Sequence, residues 1–469
     1  MSIELPETIE DCHELIKRLV EITDTLVVRI EKLEQENRAL KERLNNNSSN
    51  SSKPPSQYFK KKKAKKPNPN KGGGVKGHQG HFRKLLNPEE VDEVVSCNLP
   101  KTCFCGGQIT VREEVLRHQV HELPRIKLHV TEYQLEKGAC NCCGKKQIAS
   151  LPEGITWGIT GPRLTSLMSH MLSRYKLSRR ELQTFLAEHY AFKMSMGCIY
   201  AKQRIVAQAL EEPVKDLFEQ VKLSSSAHMD ETGHRRDGLN QWLWGMISEK
   251  AAFFSVEPSR GKKVIARFME DFNGFIISDR YAAYNFFESS KRQICWAHLK
   301  RDFTRLSEKQ DKLIARIGKD LLECQMKLFE FWHQFKLKNL SREELIRKTR
   351  PLRHKIGELL EQGTYTDPKL KIVRFCSNLL THFTALWTFI FNENIEPTNN
   401  HAEQSLRPVV IWRKKYFGTH SDYGSDFVAR TMSLITSCRL QAISTFEVFS
   451  QILTSYFAGQ KSLIFANPT

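Results

Sequence analysis

The sequence predicts a multidomain α/β protein, and three observations carry that expectation. The chain has 469 residues, too many for one ordinary core at roughly 100 to 200 residues per domain, so about three units are expected. Its character changes sharply along its length: a heptad-patterned start, a Asn, Ser, Lys and Gly-rich stretch without acidic residues, a cysteine-bearing segment, then continuous helical and strand-like patterns. In that last part, short β-branched and aromatic runs alternate with helical periodicity, as an α/β core requires.

Charge and cysteine content narrow the function classes. The formal net charge of +19 and pI near 9.4 point to a polyanionic partner, because each neutralised phosphate releases counterions. Nucleic acid fits better than a membrane. No run of about 18 apolar residues occurs, and the N-terminus lacks a basic segment followed by an apolar run, so neither a spanning helix nor a signal peptide is expected. The expected location is the cytoplasm, in association with the nucleoid. Twelve cysteines in such a chain read as thiols or metal ligands rather than as a disulfide framework.

Over residues 8–44 a heptad sets Leu19, Leu26, Leu33 and Leu40 at one core position, and Ile16, Thr23, Ile30, Asn37 and Leu44 at the other. A leucine seam with β-branched partners and one buried Asn favours a parallel two-stranded coiled coil, hence a homodimer or higher oligomer. Residues 45–82 cannot bury enough apolar surface to order themselves and read as a flexible tether; its lysines, Lys60 to Lys63, Lys65 and Lys66, are either a solvated linker or an arm that tracks phosphates. Residues 83–150 carry Cys103-Phe104-Cys105-Gly106 and Cys140-Asn141-Cys142-Cys143-Gly144, separated by an alternating run, Ile126, Leu128 and Val130, that predicts a strand. Two cysteine knuckles followed by Gly suggest a structural zinc held by Cys103, Cys105, Cys140 and Cys143. The second knuckle has the proper spacing; the first does not, so Cys97 or His118 is a further candidate ligand.

Residues 160–215 predict a helix-turn-helix: Pro162 suits a first helical turn, Ser178 with Glu181 makes a capping box, and a third helix starts near Ser195. Tyr200, Gln203 and Arg204 are its candidate contacts to bases or phosphates. Residues 223–420 form the α/β core. A strand over Ala227 to Met229 ends in Asp230, Trp242 to Ile247 and Ala251 to Val256 make a hairpin, Gly261 to Phe272 is an amphipathic helix, and Phe275 to Ser278 is a strand ending in Asp279. Gln293 to Trp296 is the last strand, leading into His298, Lys300 and Arg301. A basic helical insertion spans about residues 304–392, broken near Gly363 to Asp367. Glu403 then opens a short helix with Arg407 one turn on, which Pro408 ends or bends. Arg413, Lys414 and Lys415 are candidate phosphate contacts, and residues 421–469 are a helical C-terminal element.

Asp230, Asp279 and Glu403 come from three separate segments. Two divalent ions need carboxylates from separate elements if they are to clamp both the attacking and the leaving oxygen of one phosphate. All-oxygen ligation suits magnesium or manganese. Strand alternation turns Glu231 away if Asp230 faces the site, so Asp230 is the expected ligand and Glu231 a surface or supporting group.

The words around these acids also form a pattern. Asp230-Glu231-Thr232-Gly233 with Trp242-Leu243-Trp244, Ser278-Asp279 with Tyr281-Ala282-Ala283-Tyr284, Cys295-Trp296-Ala297-His298-Leu299-Lys300-Arg301, and Asn399-Asn400 through Glu403 to Leu406-Arg407-Pro408 and Arg413-Lys414 resemble the transposase of insertion sequence family 66, in order and over nearly the whole chain. The resemblance implies a ribonuclease H-like core with an Asp, Asp, Glu triad, preceded by a zipper, a zinc knuckle and a helix-turn-helix. It also implies a DNA transposase acting on element ends and target DNA, with element-encoded accessory proteins as further partners. The chain departs from the family at Thr102, Arg280, Thr398, Gln404 and Lys415, none of them a triad member. A non-catalytic DNA-binding regulator or inactivated remnant is the alternative, and a junction-cutting nuclease a third reading.

Overall fold

The computed structural model describes residues 8–47, 50–51, 83–111, 115–366, 368, 370–462 and 464–465. The lysine block of the expected tether, Lys60 to Lys66, lies outside them. The chain divides into two compact units, one of residues 59–131 and one of residues 1–58 with 132–469.

Among its described residues the smaller unit has little regular structure. A single 3-10 turn, Pro88–Glu90, is closed by a capping box from Asn87 and Glu90, and a lone bridge joins Thr102 to Gln108 around the first cysteine knuckle. The strand expected through Ile126, Leu128 and Val130 does not form: the segment joins neither sheet, and Ile126 and Val130 stay exposed. Alternation makes an apolar face but gives it no surface to bury against, and an unpaired strand has no ladder.

In the larger unit, α1 (Ile9–Asn45) is one continuous helix. Ile16, Leu19, Leu26, Ile30, Leu33 and Leu40 lie along it, each about half exposed or more. A short antiparallel hairpin follows, β1 (Lys137–Ala139) with β2 (Lys146–Ile148). Four helices come next: α2 (Pro162–Ser173), α3 (Arg179–Tyr190), α4 (Met196–Ala209) and α5 (Glu211–Lys222). Pro162 occupies the first turn of α2. Ser178 accepts the Glu181 amide at 3.1 Å while Glu181 reaches back to the Ser178 amide, and α3 stops where Ala191 turns left-handed, φ 51°. Ser195 caps α4. Leu182, Leu186, Ile199 and Val206 of this helix pair are fully buried.

A five-stranded sheet holds the centre: β3 (Ser226–Arg236), β4 (Leu239–Ile247), β5 (Ala252–Glu257), β6 (Phe275–Ser278) and β7 (Arg292–Ile294), in spatial order β5-β4-β3-β6-β7. The first three form an antiparallel meander; β6 and β7 run parallel to β3. Strand β3 runs well past Asp230, which therefore sits within the strand and not at its end. The reason is the two-residue turn Asp237-Gly238, φ 48° and 77°, which lets β4 pair with β3 all the way to Arg236 and Leu239. Between β5 and β6 lies only a two-turn helix, α6 (Lys262–Phe268), shorter than expected. The last strand is likewise displaced: Trp296 opens α7 (Trp296–Ser307) and its amide bonds the Pro397 carbonyl at 2.9 Å instead of a strand.

The insertion continues as α8 (Lys312–Lys336), α9 (Arg342–Thr364), α10 (Lys371–Thr381) and α11 (Thr388–Phe391). Its core, with Trp296, Phe303, Leu321, Leu360 and Trp387, includes Ile277 and Ile294 of the sheet. A second core joins α2 to α5 with the other side of the molecule: α12 (Asn400–Tyr416), α13 (Asp422–Leu440) and α14 (Thr445–Phe457). Helix α12 passes straight through Pro408, contrary to the expected stop. The amide that proline lacks would have bonded the carbonyl of Gln404, an exposed residue where water can serve instead. Helix α13 covers the edge strand, because Ser433 and Ser437 accept the Phe254 and Ala252 amides at 2.8 and 2.9 Å. Among the described residues no helix is long and apolar enough to cross a membrane.

Candidate active site

Strand pairing brings the first two acids together. His228 stands opposite Ile277 in the parallel register of β3 and β6; two residues further along each chain, Asp230 lies beside Asp279. Asp230 Oδ1 accepts the Glu231 amide at 2.9 Å and Asp279 Oδ1 the Tyr281 amide at 2.9 Å, so each carboxylate is oriented by its own backbone. Glu403 arrives in the first turn of α12, which packs across β3 and β4. Its Oε1 is buried without a hydrogen-bond partner, 3.6 Å from His298 Nδ1 and 3.8 Å from the Arg301 guanidinium.

The electrostatics are those of crowded acids. Burial holds the Asp230 carboxyl well above the usual carboxylate range, and the charges of Glu231, Asp279 and Glu403 push it the same way. Burial lowers the His298 imidazole, with Arg301 adding to the effect. Carboxylates that repel one another, with an orphaned carboxylate oxygen among them, form a donor set suited to a hard divalent cation. Among the described residues no three His, Cys, Asp or Glu side chains yet converge on one point as metal ligands do; Asp230 and Asp279 are turned to the amides just described.

Glu231 differs from expectation. It is not a surface group: its side chain is only 1% exposed. Its oxygens accept the Arg260 Nε at 2.6 Å and the Tyr284 hydroxyl at 3.1 Å. Arg260 in turn lies over Tyr281 and Trp242, 4.0 and 5.0 Å from the ring centroids. Alternation along β3 does turn Glu231 from Asp230, but the turn after β6 covers that face too. Arg280 ties the same turn to the insertion, donating to Asn378 at 3.2 Å and lying over Phe375.

Sequence reasoning missed one residue that its own motif contained. Asn399 is fully buried, and its side chain bonds the Met229 carbonyl at 2.7 Å and His228 Nδ1 at 3.1 Å. His228, also buried, is held far toward its neutral form, at about 4, by burial and then by His401. A short polar side chain next to an acidic motif was the available signal.

The candidate DNA contacts differ in exposure and in the partners they hold. On α4, Tyr200 is exposed and stacks under Arg179 at 4.0 Å, Gln203 accepts Arg179 Nε at 2.6 Å, and Arg204 lies over Tyr423 while bonding its hydroxyl at 3.1 Å. Lys300, Arg407 and Lys414 are exposed. Arg413 turns inward to Thr232 Oγ1 at 3.1 Å and to the Gly233 carbonyl. Lys415 bonds the Lys176 carbonyl at 2.7 Å and pairs with Glu181 at 3.0 Å.

Each cysteine knuckle makes the turn its glycine permits. Gly106, φ 87°, returns its amide to the Cys103 carbonyl, and Gly144, φ 68°, to the Cys140 carbonyl at 2.8 Å. The Gly107 amide and then Cys103 lower the Cys105 thiol; the Cys143 and Cys142 amides, then the Cys143 thiol, lower Cys140. Both knuckles thus favour thiolate, the form that binds metal.

Comparison with known proteins finds two family matches and several relatives. Residues 4–84 match a family of unknown function (DUF6444). Three proteins of Sinorhizobium fredii (strain NBRC 101917 / NGR234), each described only as uncharacterized, are similar. The one called y4hP is 25% identical over 399 residues, covering 76% of this chain and 71% of its own; y4jD is 21% identical over 427 residues, covering 83% and 82%; y4qI is 26% identical over 243 residues, covering 46% and 44%. Residues 158–426, more than half of the chain and the whole span from Asp230 to Glu403, match the transposase IS66 family, and the chain belongs to that family.

Proposed function

We propose that the protein is a DNA transposase that cuts and joins DNA at insertion-sequence ends by metal-dependent phosphodiester transfer. The observation that carries this reading is the juxtaposition of Asp230 and Asp279 on neighbouring parallel strands, with Glu403 brought over them by α12. An antiparallel meander extended beyond its first strand by two strands parallel to it, crossed by the acid-bearing helix, supports reading the core as ribonuclease H-like.

Asp230, Asp279 and Glu403 would hold magnesium or manganese. When bound, the ions supply Lewis acidity that lowers the pKa of an attacking water or 3′ hydroxyl and offsets charge on the leaving oxygen. The chain's own groups do the rest. Glu231 and Arg260 fix the turn that carries Asp279. Lys300, Arg301 and Arg407 offer positive charge to the phosphodiester, and Tyr200, Gln203 and Arg204 of α4 present a surface to duplex DNA. Arg413 and Lys415, committed to Gly233 and Glu181, tie the C-terminal end of α12 to β3 and α3. Zinc is proposed as the ion of the cysteine knuckles, and α1 as the contact between copies of the chain. Double-stranded DNA is the partner, and cytoplasm with nucleoid the proposed location.

Glu403→Gln keeps size and helix propensity but removes a charge the ions need, so cleavage of labelled DNA bearing the element's ends in Mg²⁺ falls by about 100-fold or more. DNA binding survives, and still weakens steeply as salt rises. Cutting and joining by Glu403→Gln at the wild-type rate would refute the triad. A wild type that binds but never cuts its own ends would favour the non-catalytic regulator.

A further inference from the structure

We propose that Asn399 is the positioning residue that sets Glu403 against Asp230. The proposal rests on the metal-site reading above. Asn399 occupies the N-cap position of α12, where an Asn side chain ordinarily accepts an amide of its own helix. Here it makes no such bond. It turns instead to β3, where its Nδ2 donates to the Met229 carbonyl at 2.7 Å. That carbonyl can only accept, so the amide orientation is fixed: Oδ1 faces His228, and His228 Nδ1 carries the proton that bridges the 3.1 Å gap.

The backbone of the same residue makes two further ties. Its amide donates to Cys295 Sγ at 3.0 Å, and its carbonyl accepts the Glu403 amide at 3.2 Å. The Trp296 amide adds a bond to Pro397 at 2.9 Å just upstream. One fully buried residue therefore joins the residue before Asp230 through its side chain, and the start of the helix bearing His298 and Arg301 and the amide of Glu403 through its backbone. A cap that merely stabilised α12 would point its side chain along the helix. This one forgoes that bond and measures the distance between two carboxylates.

Asn399→Ser separates the two roles, because Ser caps a helix as well as Asn but is too short to reach Met229. In the full-length protein, Mn²⁺ binding is followed by electron paramagnetic resonance, with Mg²⁺ dependence of end cleavage, thermal unfolding and DNA affinity alongside. Asn399→Ser is expected to weaken Mn²⁺ binding by about tenfold and raise the Mg²⁺ requirement to match, within the range seen when a ligand loses its supporting partner. Unfolding temperature falls by only a few degrees, because the buried Met229 carbonyl and His228 Nδ1 lose their partner, and DNA affinity stays near wild type. Mn²⁺ affinity unchanged in Asn399→Ser, while Glu403→Gln lowers it, would overturn the positioning role alone. Mn²⁺ affinity unchanged in both would overturn the metal site with it. Should Asn399→Ser not fold, Cys295→Ala removes the acceptor for the Asn399 amide and leaves the Asn399 side chain in place; it is expected to shift Mn²⁺ binding in the same direction, and no shift there would overturn the proposal equally.

Discussion

His234 lies four residues beyond Asp230 on β3, stacked on Trp412 and bonded to Thr419 Oγ1 at 3.1 Å. Burial, then Arg413 and Arg236, lower its imidazole to about 4. The unfolded chain takes up this proton near 6.5, so the unfolded state binds more protons between pH 6.5 and 4. The contribution of His234 is therefore complete above pH 6.5 and is lost as pH falls toward 4, by roughly 3 kcal/mol. His234→Gln should flatten the fall of urea-unfolding stability across that interval; an equally steep fall would show that the imidazole is not held neutral. At this scale Asp230, Asp279 and Glu403 stood out in the sequence as candidates, because their flanking words singled them out. Glu231 and Asn399 were not. Their importance comes from Arg260, Tyr284, Met229 and His228, which reach them through the fold and not through neighbouring sequence.

Helices with local punctuation were the readable elements. Ser178 with Glu181, Ser195 and Pro162 mark starts that depend only on residues within one turn, and α2, α3 and α4 begin where they indicate. Strands fared worse. The polar end of β3, from Thr232 to Arg236, has no apolar alternation and is held by β4; the Asp237-Gly238 turn was the overlooked sign of it. The run through Ile126 had the alternation without the partner. For the knuckles, protein purified without chelator is expected to carry roughly one zinc per chain, and Cys143→Ser to lower that content in elemental analysis. Metal-free wild type would leave the lowered thiols of Cys105 and Cys140 without that role.

For the whole molecule, the heptad of α1 is the boldest feature left uncovered. Its leucines are exposed along the helix, and burying them against a second copy is the proposed basis of oligomerisation. The full chain should sediment as a dimer or larger at micromolar concentration. Leu26→Ala with Leu33→Ala, at about 2 to 5 kcal/mol per well-packed leucine, should shift it toward monomer; a monomeric wild type would count against the coil. The helical insertion was legible as a basic, periodic stretch, yet its sharing of Ile277 and Ile294 with the sheet was not, since long-range packing leaves no local trace.

The bond between His228 and Asn399 spans 171 residues. A ribosome adding about 5 to 20 residues per second needs roughly 10 to 30 seconds to cross that interval. Until it has done so, Asp230 and Asp279 exist without Glu403, and on the proposed chemistry the growing chain cannot break DNA. On the proposed chemistry the cutting edge would close late in synthesis, so premature termination within the insertion would leave a fragment without its third acid instead of an unfinished nuclease.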